Sequence, residues 1–242
     1  MAKLTLLLLG LLLCGNAAHA EDYTGFYDTY RKTQDTGVGS DRVQVLSFFS
    51  YSCKACRKFD APLQSWLAKN TKNIIFQKIP STFVVDGKAQ ARIYYTAEEL
   101  KAKPKLHDGL YSKIQNRQLV LDRNDLVANF LGSRLGKDSF SVEVAMDSLL
   151  VNSALLYAED LSNRYQPAKL PAFVVNGRYI VSLSQAGSVE KMFEILDFLI
   201  DKELKSYRYQ AWWLNYLSKT GTLVNMGSLT PINFDGRYKE DE

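Results

Sequence analysis

A short apolar segment followed at once by two cysteines three residues apart constrains this chain more than any other feature. Val43 to Phe49 is rich in β-branched and aromatic residues, which predicts a buried strand. Ser50-Tyr51-Ser52 predicts a turn. Cys53-Lys54-Ala55-Cys56 then opens a segment with helical periodicity, whose apolar positions are Phe59, Leu63, Trp66 and Leu67. This order places a Cys-x-x-Cys pair at the amino end of a helix.

The two sulfurs have different chemistry at that position. Unpaired backbone N–H groups and the positive end of the helix dipole favour the thiolate of Cys53 over its thiol. We therefore expect a pKa for Cys53 well below the value of about 8.5 for free cysteine. Cys56 lies one helical turn later, close enough to attack a mixed disulfide that Cys53 has formed. The pattern indicates dithiol–disulfide exchange with both cysteines catalytic: Cys53 as the nucleophile and Cys56 as the resolving cysteine.

A structural disulfide and a metal site are the two other uses of such a pair. A disulfide that closes so short a loop constrains the unfolded chain little. Tetrahedral zinc prefers four ligands, and beyond residue 20 the chain offers two thiols and the single His107. We therefore favour redox chemistry and expect no metal and no bound cofactor.

The first twenty residues have the features of an export signal. Lys3 supplies a positive charge, and Leu4 to Leu13 form an apolar segment too short to span a bilayer. Ala18-His19-Ala20 is a small-x-small cleavage site, so we expect cleavage after Ala20. Lipid attachment at Cys14 is a second interpretation, which the large Leu13 in front of it disfavours. The periplasm is the expected compartment.

Composition narrows the classes of function. The 242 residues include 30 basic and 26 acidic side chains, for a net charge of +4, and no run of five basic residues. This balance does not indicate nucleic-acid binding, and no Gly-rich phosphate loop is present.

The rest of the chain alternates strand and helix signals. Ile74 to Ile79 predicts a strand, and Asn176-Gly177 predicts a hairpin between the strands Ala172 to Val175 and Tyr179 to Val181. Helical patterns fill the region between these strands. One of them is a long helix from about Val142 to Arg164, with an apolar side that includes Met146, Leu149, Leu150, Leu156 and Leu161. The order predicts an α/β chain with a thioredoxin-like fold and an inserted helical domain.

Five segments follow from this organisation. Residues 1–20 are the signal peptide, 21–81 the first part of the thioredoxin-like domain, 82–161 the helical insertion, 162–204 the second part, and 205–242 a C-terminal extension of unknown role. The extension carries a cluster of aromatic residues: Tyr207, Tyr209, Trp212, Trp213 and Tyr216. We expect a helix that packs back on the domain, and contact with a partner or a membrane surface is the second interpretation.

Two stretches together carry a family resemblance over roughly residues 40–204. They are Val45-Leu46-Ser47-Phe48-Phe49-Ser50-Tyr51-Ser52-Cys53-Lys54-Ala55-Cys56 and Leu170-Pro171-Ala172-Phe173-Val174-Val175-Asn176-Gly177. With the helical insertion between them, the chain resembles the DsbA-like thiol:disulfide interchange proteins. The resemblance implies that Pro171 is a cis-proline whose loop lies against Cys53, and that substrate peptides pair with the backbone at Leu170. It also implies two kinds of partner: cysteine-containing exported proteins, and a quinone-linked, DsbB-like membrane oxidase.

Three positions depart from the family pattern. Lys54 and Ala55 stand where the family usually has Pro and His, and Ser47 stands where many members have a buried acidic residue. Lys54 and Ala55 are therefore the predicted tuning residues. Ala55 cannot hold the thiolate as a histidine does, and the exposed Lys54 ammonium compensates by about 1 kcal/mol. We expect a Cys53 pKa that is lowered, but less than in the most acidic members of the family.

The predicted activity is that of a protein disulfide oxidoreductase, an oxidase that donates the Cys53–Cys56 disulfide to exported proteins. A disulfide reductase or isomerase would use the same residues in the other direction. A chaperone-like envelope binding protein, acting through the aromatic C-terminal extension, is the alternative from a different class.

Overall fold

The computed structural model describes residues 23–39, 41–70 and 72–219. The predicted signal peptide, its cleavage site, Cys14 and residues 220–242 lie outside the described residues. Within these ranges the chain forms one mixed β-sheet covered by helices on both faces.

The sheet has five strands in the order β1-β5-β4-β2-β3. Their bounds are Asp28–Thr29 for β1, Val43–Phe49 for β2, Ile74–Pro80 for β3, Ala172–Val175 for β4 and Tyr179–Ser182 for β5. β2 pairs with β3 in parallel, and the other neighbours are antiparallel. All seven residues of β2 are buried, including the polar Gln44 and Ser47, as expected for a central strand.

Eight helices surround this sheet in the described part of the chain. Their bounds are Lys54–Asn70 (α1), Gly87–Glu99 (α2), Lys103–Gln115 (α3), Asn124–Leu135 (α4), Ser139–Met146 (α5), Leu149–Tyr165 (α6), Leu183–Ala186 (α7) and Val189–Lys219 (α8). α1 and α8 cover one face of the sheet, where Val43 and Val45 of β2 are buried against them. Leu46 and Phe48 point to the other face and pack with helices α2 to α6. The predicted thioredoxin-like fold with an inserted helical domain is confirmed.

The hairpin between β4 and β5 is confirmed at the predicted residues. Asn176 and Gly177 have φ angles of 52° and 63°, the left-handed conformation that this turn requires. A β-carbon on Gly177 would lie 2.4 Å from the backbone oxygen of Gln34, so the close approach of that segment also requires glycine.

The single long helix predicted from Val142 to Arg164 is wrong. The chain breaks between α5 and α6, where the side chain of Ser148 accepts a hydrogen bond from the backbone N–H of Val151 and caps α6. The new helix presents Val151, Leu155 and Ala158 to the core. Three residues that the prediction placed on the apolar side are therefore exposed instead: Leu149, Leu150 and Leu156.

The structure shows no break in α8 at residue 205, where the sequence predicted a separate extension. α8 continues to Lys219, and its side chains as far as Leu204 and Tyr207 pack against the core. Of the aromatic cluster, Tyr207 packs against the domain as predicted, whereas Tyr209, Trp212, Trp213 and Tyr216 are 41–57% exposed.

Among the described residues, no single helix has both the length and the apolar composition of a membrane span. The consecutive helices α5 and α6 meet that test only as a pair, with a bend of 48° between them.

Candidate active site

The two cysteines lie at the start of α1, just after the turn that follows β2, and they form a disulfide. Cys53 immediately precedes α1 and its carbonyl accepts a hydrogen bond from the backbone N–H of Arg57, so it occupies the N-cap position. Cys53 is partly exposed, whereas Cys56 is only 2% exposed. The backbone N–H of Cys56 points at Cys53 Sγ from 3.0 Å. This donor would stabilise a thiolate on Cys53 after reduction.

The loop before β4 forms the other wall around Cys53. The Leu170–Pro171 peptide bond is cis, and the carbonyl oxygen of Leu170 lies 3.6 Å from Cys53 Sγ. The structure thus agrees with the resemblance on the cis bond and on the loop that lies against Cys53. Leu170 is partly exposed beside the sulfur.

The two residues between the cysteines face solvent. Lys54 and Ala55 are both exposed. In the same first turn of α1, Arg57 pairs with Asp108 of α3 through two hydrogen bonds of 3.0 and 2.8 Å. This pair ties the first turn of α1 to the helical insertion next to the disulfide.

A buried glutamine of the insertion holds the turn that leads into the active site. Gln90 of α2 is 2% exposed, and its Oε1 accepts hydrogen bonds from Ser50 Oγ at 2.8 Å and from the Ser52 backbone N–H at 3.2 Å. Its Nε2 donates to the backbone carbonyl of Val85 at 3.1 Å. Gln90 therefore supplies polar partners that the buried turn needs.

A second glutamine acts on the same turn from α3. Gln115 Nε2 donates to the backbone carbonyls of Tyr51 at 3.0 Å and Cys53 at 3.3 Å. These carbonyls lie between the strand and the helix, and that of Cys53 also accepts the hydrogen bond from the Arg57 N–H of α1. The two glutamines fix the backbone of the turn without contacting either sulfur.

A polar cluster lies at the base of the site, between α1, β3 and α3. Asp60 of α1 pairs with Lys78 of β3, and its Oδ2 lies 2.9 Å from His107 Nε2. Tyr51 OH lies 2.9 Å from His107 Nδ1, and Lys78 Nζ lies 2.9 Å from His107 Nε2. In the histidine tautomer in which Tyr51 donates to Nδ1 and Nε2–H donates to Asp60, the contact of Lys78 with Nε2 is not a hydrogen bond, because both groups are donors.

Burial and pairing act in opposite directions on this cluster. Burial alone would raise the pKa of Asp60, but the hydrogen bond from His107 and the charge of Lys78 outweigh it and lower that pKa. For Lys78, burial outweighs the attraction of Asp60 and lowers the pKa of the ammonium. Burial also raises the pKa of Tyr51, which keeps its hydroxyl protonated.

Ser47, the third departure from the family pattern, is 2% exposed in the middle of β2. Its partner in the parallel register on β3 is Lys78. Paired residues on adjacent strands point to the same face, so Ser47 and Lys78 lie side by side under α1. The carboxylate that pairs with Lys78 comes from Asp60 on α1 rather than from position 47.

Sequence reasoning missed the functional neighbours Gln90, Gln115, Asp60 and Lys78, and it considered His107 only as a metal ligand. Asp60 carried a signal, because it follows Cys56 by four residues and so lies on the same side of α1. The glutamines carried none, since helix-favouring polar residues are common on exposed helix surfaces. Within the described ranges, no group of three or more His, Cys, Asp or Glu side chains could hold a metal ion.

Both in sequence and in structure, the chain is similar to thiol:disulfide interchange proteins named DsbA. The thiol:disulfide interchange protein DsbA of Pseudomonas syringae pv. tomato is 29% identical over 164 residues, 67% of this chain and 75% of the relative. The DsbA of Pseudomonas aeruginosa is 26% identical over 201 residues, 83% of this chain and 95% of the relative. The crystal structure of Pseudomonas aeruginosa DsbA superposes with a TM-score of 0.69 at 22% identity, covering 76% of this chain and 95% of that one. No protein-family model matches the chain.

Fold and site together define a thioredoxin-fold protein with a helical insertion and a Cys-x-x-Cys disulfide at the start of a helix. Within that class the chain is DsbA-like, since both its sequence and its fold are similar to those of the thiol:disulfide interchange proteins named DsbA. The resemblance drawn from the two sequence stretches is confirmed.

Proposed function

We propose that this chain is a periplasmic thiol–disulfide oxidoreductase that donates its Cys53–Cys56 disulfide to exported proteins. One observation carries the proposal: a partly exposed Cys53 is disulfide-bonded to a buried Cys56, beside the Leu170 carbonyl. Of the two sulfurs, only Cys53 is then open to attack by a client. The similarity to proteins named DsbA supports the same activity.

The exchange runs in two displacements. A client thiolate attacks Cys53 Sγ, the Cys53–Cys56 bond breaks, and Cys56 leaves as a thiolate that takes up a proton. A second client thiol, once deprotonated, attacks the client sulfur of the mixed disulfide and releases Cys53 as a thiolate. The client loses two electrons and two protons and gains a disulfide, while the chain becomes a dithiol.

Each neighbour of the sulfurs has a role in this sequence. The Cys56 N–H stabilises the Cys53 thiolate as leaving group in the second displacement, and the start of α1 adds its dipole. The Leu170 backbone would pair with the client peptide, and Pro171 would keep a backbone N–H donor away from the sulfurs because proline has none. Lys54 and Ala55 would set the thiolate pKa from the solvent side.

A complete cycle needs an oxidant for the dithiol. A quinone-linked, DsbB-like membrane oxidase would accept the two electrons, and cysteine-containing exported proteins would be the clients. We propose export through the signal in residues 1–20, with cleavage after Ala20, to the compartment where both are found.

The test is stoichiometric oxidation of a reduced, unfolded client by the purified, oxidised chain. The wild-type chain should convert client thiols to disulfides, and Cys53→Ser and Cys56→Ser, which have no disulfide to donate, should both fail to do so. With a client that already contains a disulfide, the Cys53 thiolate of Cys56→Ser should attack that bond, release one client thiol and accumulate as a mixed disulfide. Equilibration with glutathione gives the reduction potential of the Cys53–Cys56 pair, which decides whether the chain oxidises or reduces its clients. A potential near the oxidising end of the range from about −120 to −270 mV supports an oxidase, whereas a value near −270 mV makes the chain a reductase.

Cys53→Ser, expressed in cells, also distinguishes the proposed enzyme from the chaperone-like alternative. If Cys53→Ser left the cellular phenotype intact while deletion of residues 205–242 abolished it, the enzymatic proposal would fail. Capture of many unrelated exported proteins by Cys56→Ser supports a general oxidase, and a single dominant captured protein would contradict that breadth.

A further inference from the structure

The two helices that meet at the active site carry a concentrated excess of positive charge. α1 contains four basic residues and one acidic residue, and α3 contains three basic residues and one acidic residue. Together they have a net charge of +5, from seven basic and two acidic residues, whereas the whole chain has +4. The rest of the chain is therefore close to neutral, and its positive charge is gathered next to the disulfide.

Both acidic residues of these helices already have cationic partners. Asp60 pairs with Lys78 of β3 and contacts His107 Nε2 beneath the site. Asp108 accepts both hydrogen bonds of Arg57. Neither carboxylate is left to offset the remaining cations on this surface.

Four of these cations are exposed. They are Lys54 and Lys58 of α1, Lys105 of α3, and Arg117 just after α3. Within the part of the chain that the structure describes, none of the four side chains has a carboxylate partner. We call these four residues the basic rim.

One contact between the helices brings two members of the basic rim together. Lys58 lies beside Arg57 on α1, and Lys105 precedes Asp108 by three residues and so shares its side of α3. The Arg57–Asp108 hydrogen bonds of 3.0 and 2.8 Å join these two sides. Lys58 and Lys105 therefore flank the same point of contact.

The other two members lie next to the reactive sulfur in the chain or through a hydrogen bond. Lys54 follows Cys53 directly. Arg117 comes two residues after Gln115, whose side-chain amide donates to the Cys53 carbonyl at 3.3 Å. The basic rim thus borders Cys53 on the side of α1 and α3, opposite the Leu170–Pro171 loop.

This position decides what the charge can act on. A client must bring a thiolate to Cys53 Sγ, so the client residues that flank its cysteine must pass the basic rim. Cations there attract carboxylates and repel ammonium and guanidinium groups, which changes the rate of encounter. We infer that the basic rim selects client segments in which acidic residues flank the cysteine. The inference rests on the proposed function and names its preferred substrate class.

An anionic lipid surface is the other source of negative charge, and it fits the position less well. A bilayer lying on the basic rim would cover Cys53, the sulfur that clients must reach. A polypeptide client brings its carboxylates and its thiol to the same place. The position of the rim therefore favours the client.

The test uses the oxidised chain from residue 21 to 242 and two reduced peptides that each contain two cysteines, flanked either by glutamates or by glutamines. Each oxidation rate is divided by the rate at which the same peptide reacts with neutral hydroxyethyl disulfide, which corrects for the effect of the flanks on thiol acidity. The corrected rate should be about fivefold higher for the glutamate peptide at about 0.05 M salt. The ratio should fall below about twofold at about 0.5 M salt, because exposed charges are screened.

Two matched double variants locate the effect. Lys58→Gln with Arg117→Gln removes two charges of the basic rim and should lower the ratio at low salt to below about twofold. Lys69→Gln with Lys72→Gln removes two exposed charges at the other end of α1, about 24 Å along the helix axis from Cys53, and should keep the wild-type ratio.

Four results would overturn the inference. They are equal corrected rates for the two peptides, a ratio that does not depend on salt, a ratio that survives in the rim variant, and an equal loss in both variants. Equal peptide rates together with binding to anionic vesicles that the rim variant abolishes would assign the surface to lipid instead. Oxidation of the glutamine peptide by the wild-type chain tests the proposed function itself, so the two can fail separately.

Discussion

The two sides of the disulfide are held by different kinds of contact. On the sheet side, the Leu170–Pro171 loop brings a backbone carbonyl to 3.6 Å from Cys53 Sγ. On the side of the insertion, the side chains of Gln90 and Gln115 hold the backbone of the turn and contact no sulfur. The sheet side therefore lies against the reactive sulfur, where we propose that the client binds, while the insertion positions the turn. Substitutions on the insertion side should change stability first, and those on the sheet side should change exchange rate first.

Gln90→Leu tests the insertion side and should have the largest effect. The variant removes the buried acceptor that the Ser50 hydroxyl and the Ser52 N–H share and leaves them only the hydrogen bonds between the two serines, which should cost about 2–4 kcal/mol of unfolding free energy. Urea unfolding of the oxidised chain measures it. Gln118→Leu, an exposed glutamine near the end of α3, is the control and should stay within about 0.5 kcal/mol of wild type. Equal stability of the two variants would refute the positioning role of Gln90.

Asp60→Asn tests the link between α1, β3 and the insertion. The variant leaves the partly buried Lys78 without its carboxylate and should lose about 1–3 kcal/mol at neutral pH. Asp108→Asn breaks the exposed pair with Arg57 and serves as the control, with a loss below about 1 kcal/mol.

The pH dependence of this variant gives the sign of the effect. The pKa of Asp60 is lowered in the folded chain, so the ionised carboxylate stabilises the fold at pH values above its unfolded pKa of about 4. That contribution is lost as the pH falls through the folded pKa. The stability gap between wild type and Asp60→Asn should therefore narrow below about pH 4. A gap that stayed constant on acidification would show that Asp60 does not act through its charge.

Pro171→Ala tests the sheet side. An alanine introduces a backbone N–H next to the sulfurs, and this donor can compete for the thiolate and for the client backbone. We expect client oxidation to slow by about tenfold, or about 1.4 kcal/mol of activation free energy. Pro167→Ala, four residues earlier in the same loop, should leave the rate within about twofold. If Pro171→Ala lowered stability without changing the rate of client oxidation, the Leu170–Pro171 loop would act on the fold and not on the exchange reaction, contrary to the proposal.

Lys54→Ala tests the solvent side and should have the smallest effect. The exposed ammonium interacts with the Cys53 thiolate across solvent, which limits its contribution to about 1 kcal/mol. The pH dependence of the thiolate absorbance, measured on the reduced wild-type chain and on the reduced variant, gives the titration midpoint of Cys53 in each. The wild-type midpoint should lie well below 8.5 and rise by less than about one unit in Lys54→Ala. Lys58→Ala should change it less, and a wild-type midpoint near or above 8 would contradict the acidic nucleophile altogether.

Local sequence patterns correctly predicted the structural elements next to the disulfide. The apolar run of β2, the Cys-x-x-Cys pair and the Asn176-Gly177 turn are each specified by neighbours in sequence, and the structure has all three where they were predicted. The cis peptide at Pro171 came from family resemblance, since an isolated X-Pro sequence does not select the isomer.

Local sequence patterns gave wrong predictions where a helix has apolar residues on more than one face. Leu149 and Leu150 satisfy helical periodicity as well as Val151 does, and only the cap at Ser148 with the packing of the insertion chose between them. The aromatic residues after 205 predicted packing on the domain, which the structure shows for Tyr207, whereas Trp212 and Trp213 further along α8 are exposed. Periodicity specifies which residues share a face but not whether a partner surface is there to cover it.

By itself, the order of residues determined the strand, the turn, the position of the sulfurs at a helix start and the hairpin, because backbone preference and periodicity act over a few neighbours. Tertiary structure alone decided that Gln90 and Gln115 hold the turn, that Asp60 pairs with Lys78 beside Ser47, and that Trp212 and Trp213 are exposed. Those contacts join residues that are 18 to 64 positions apart, or depend on where the core ends. Only the assembled sheet and insertion bring such partners together, since no short-range preference links them.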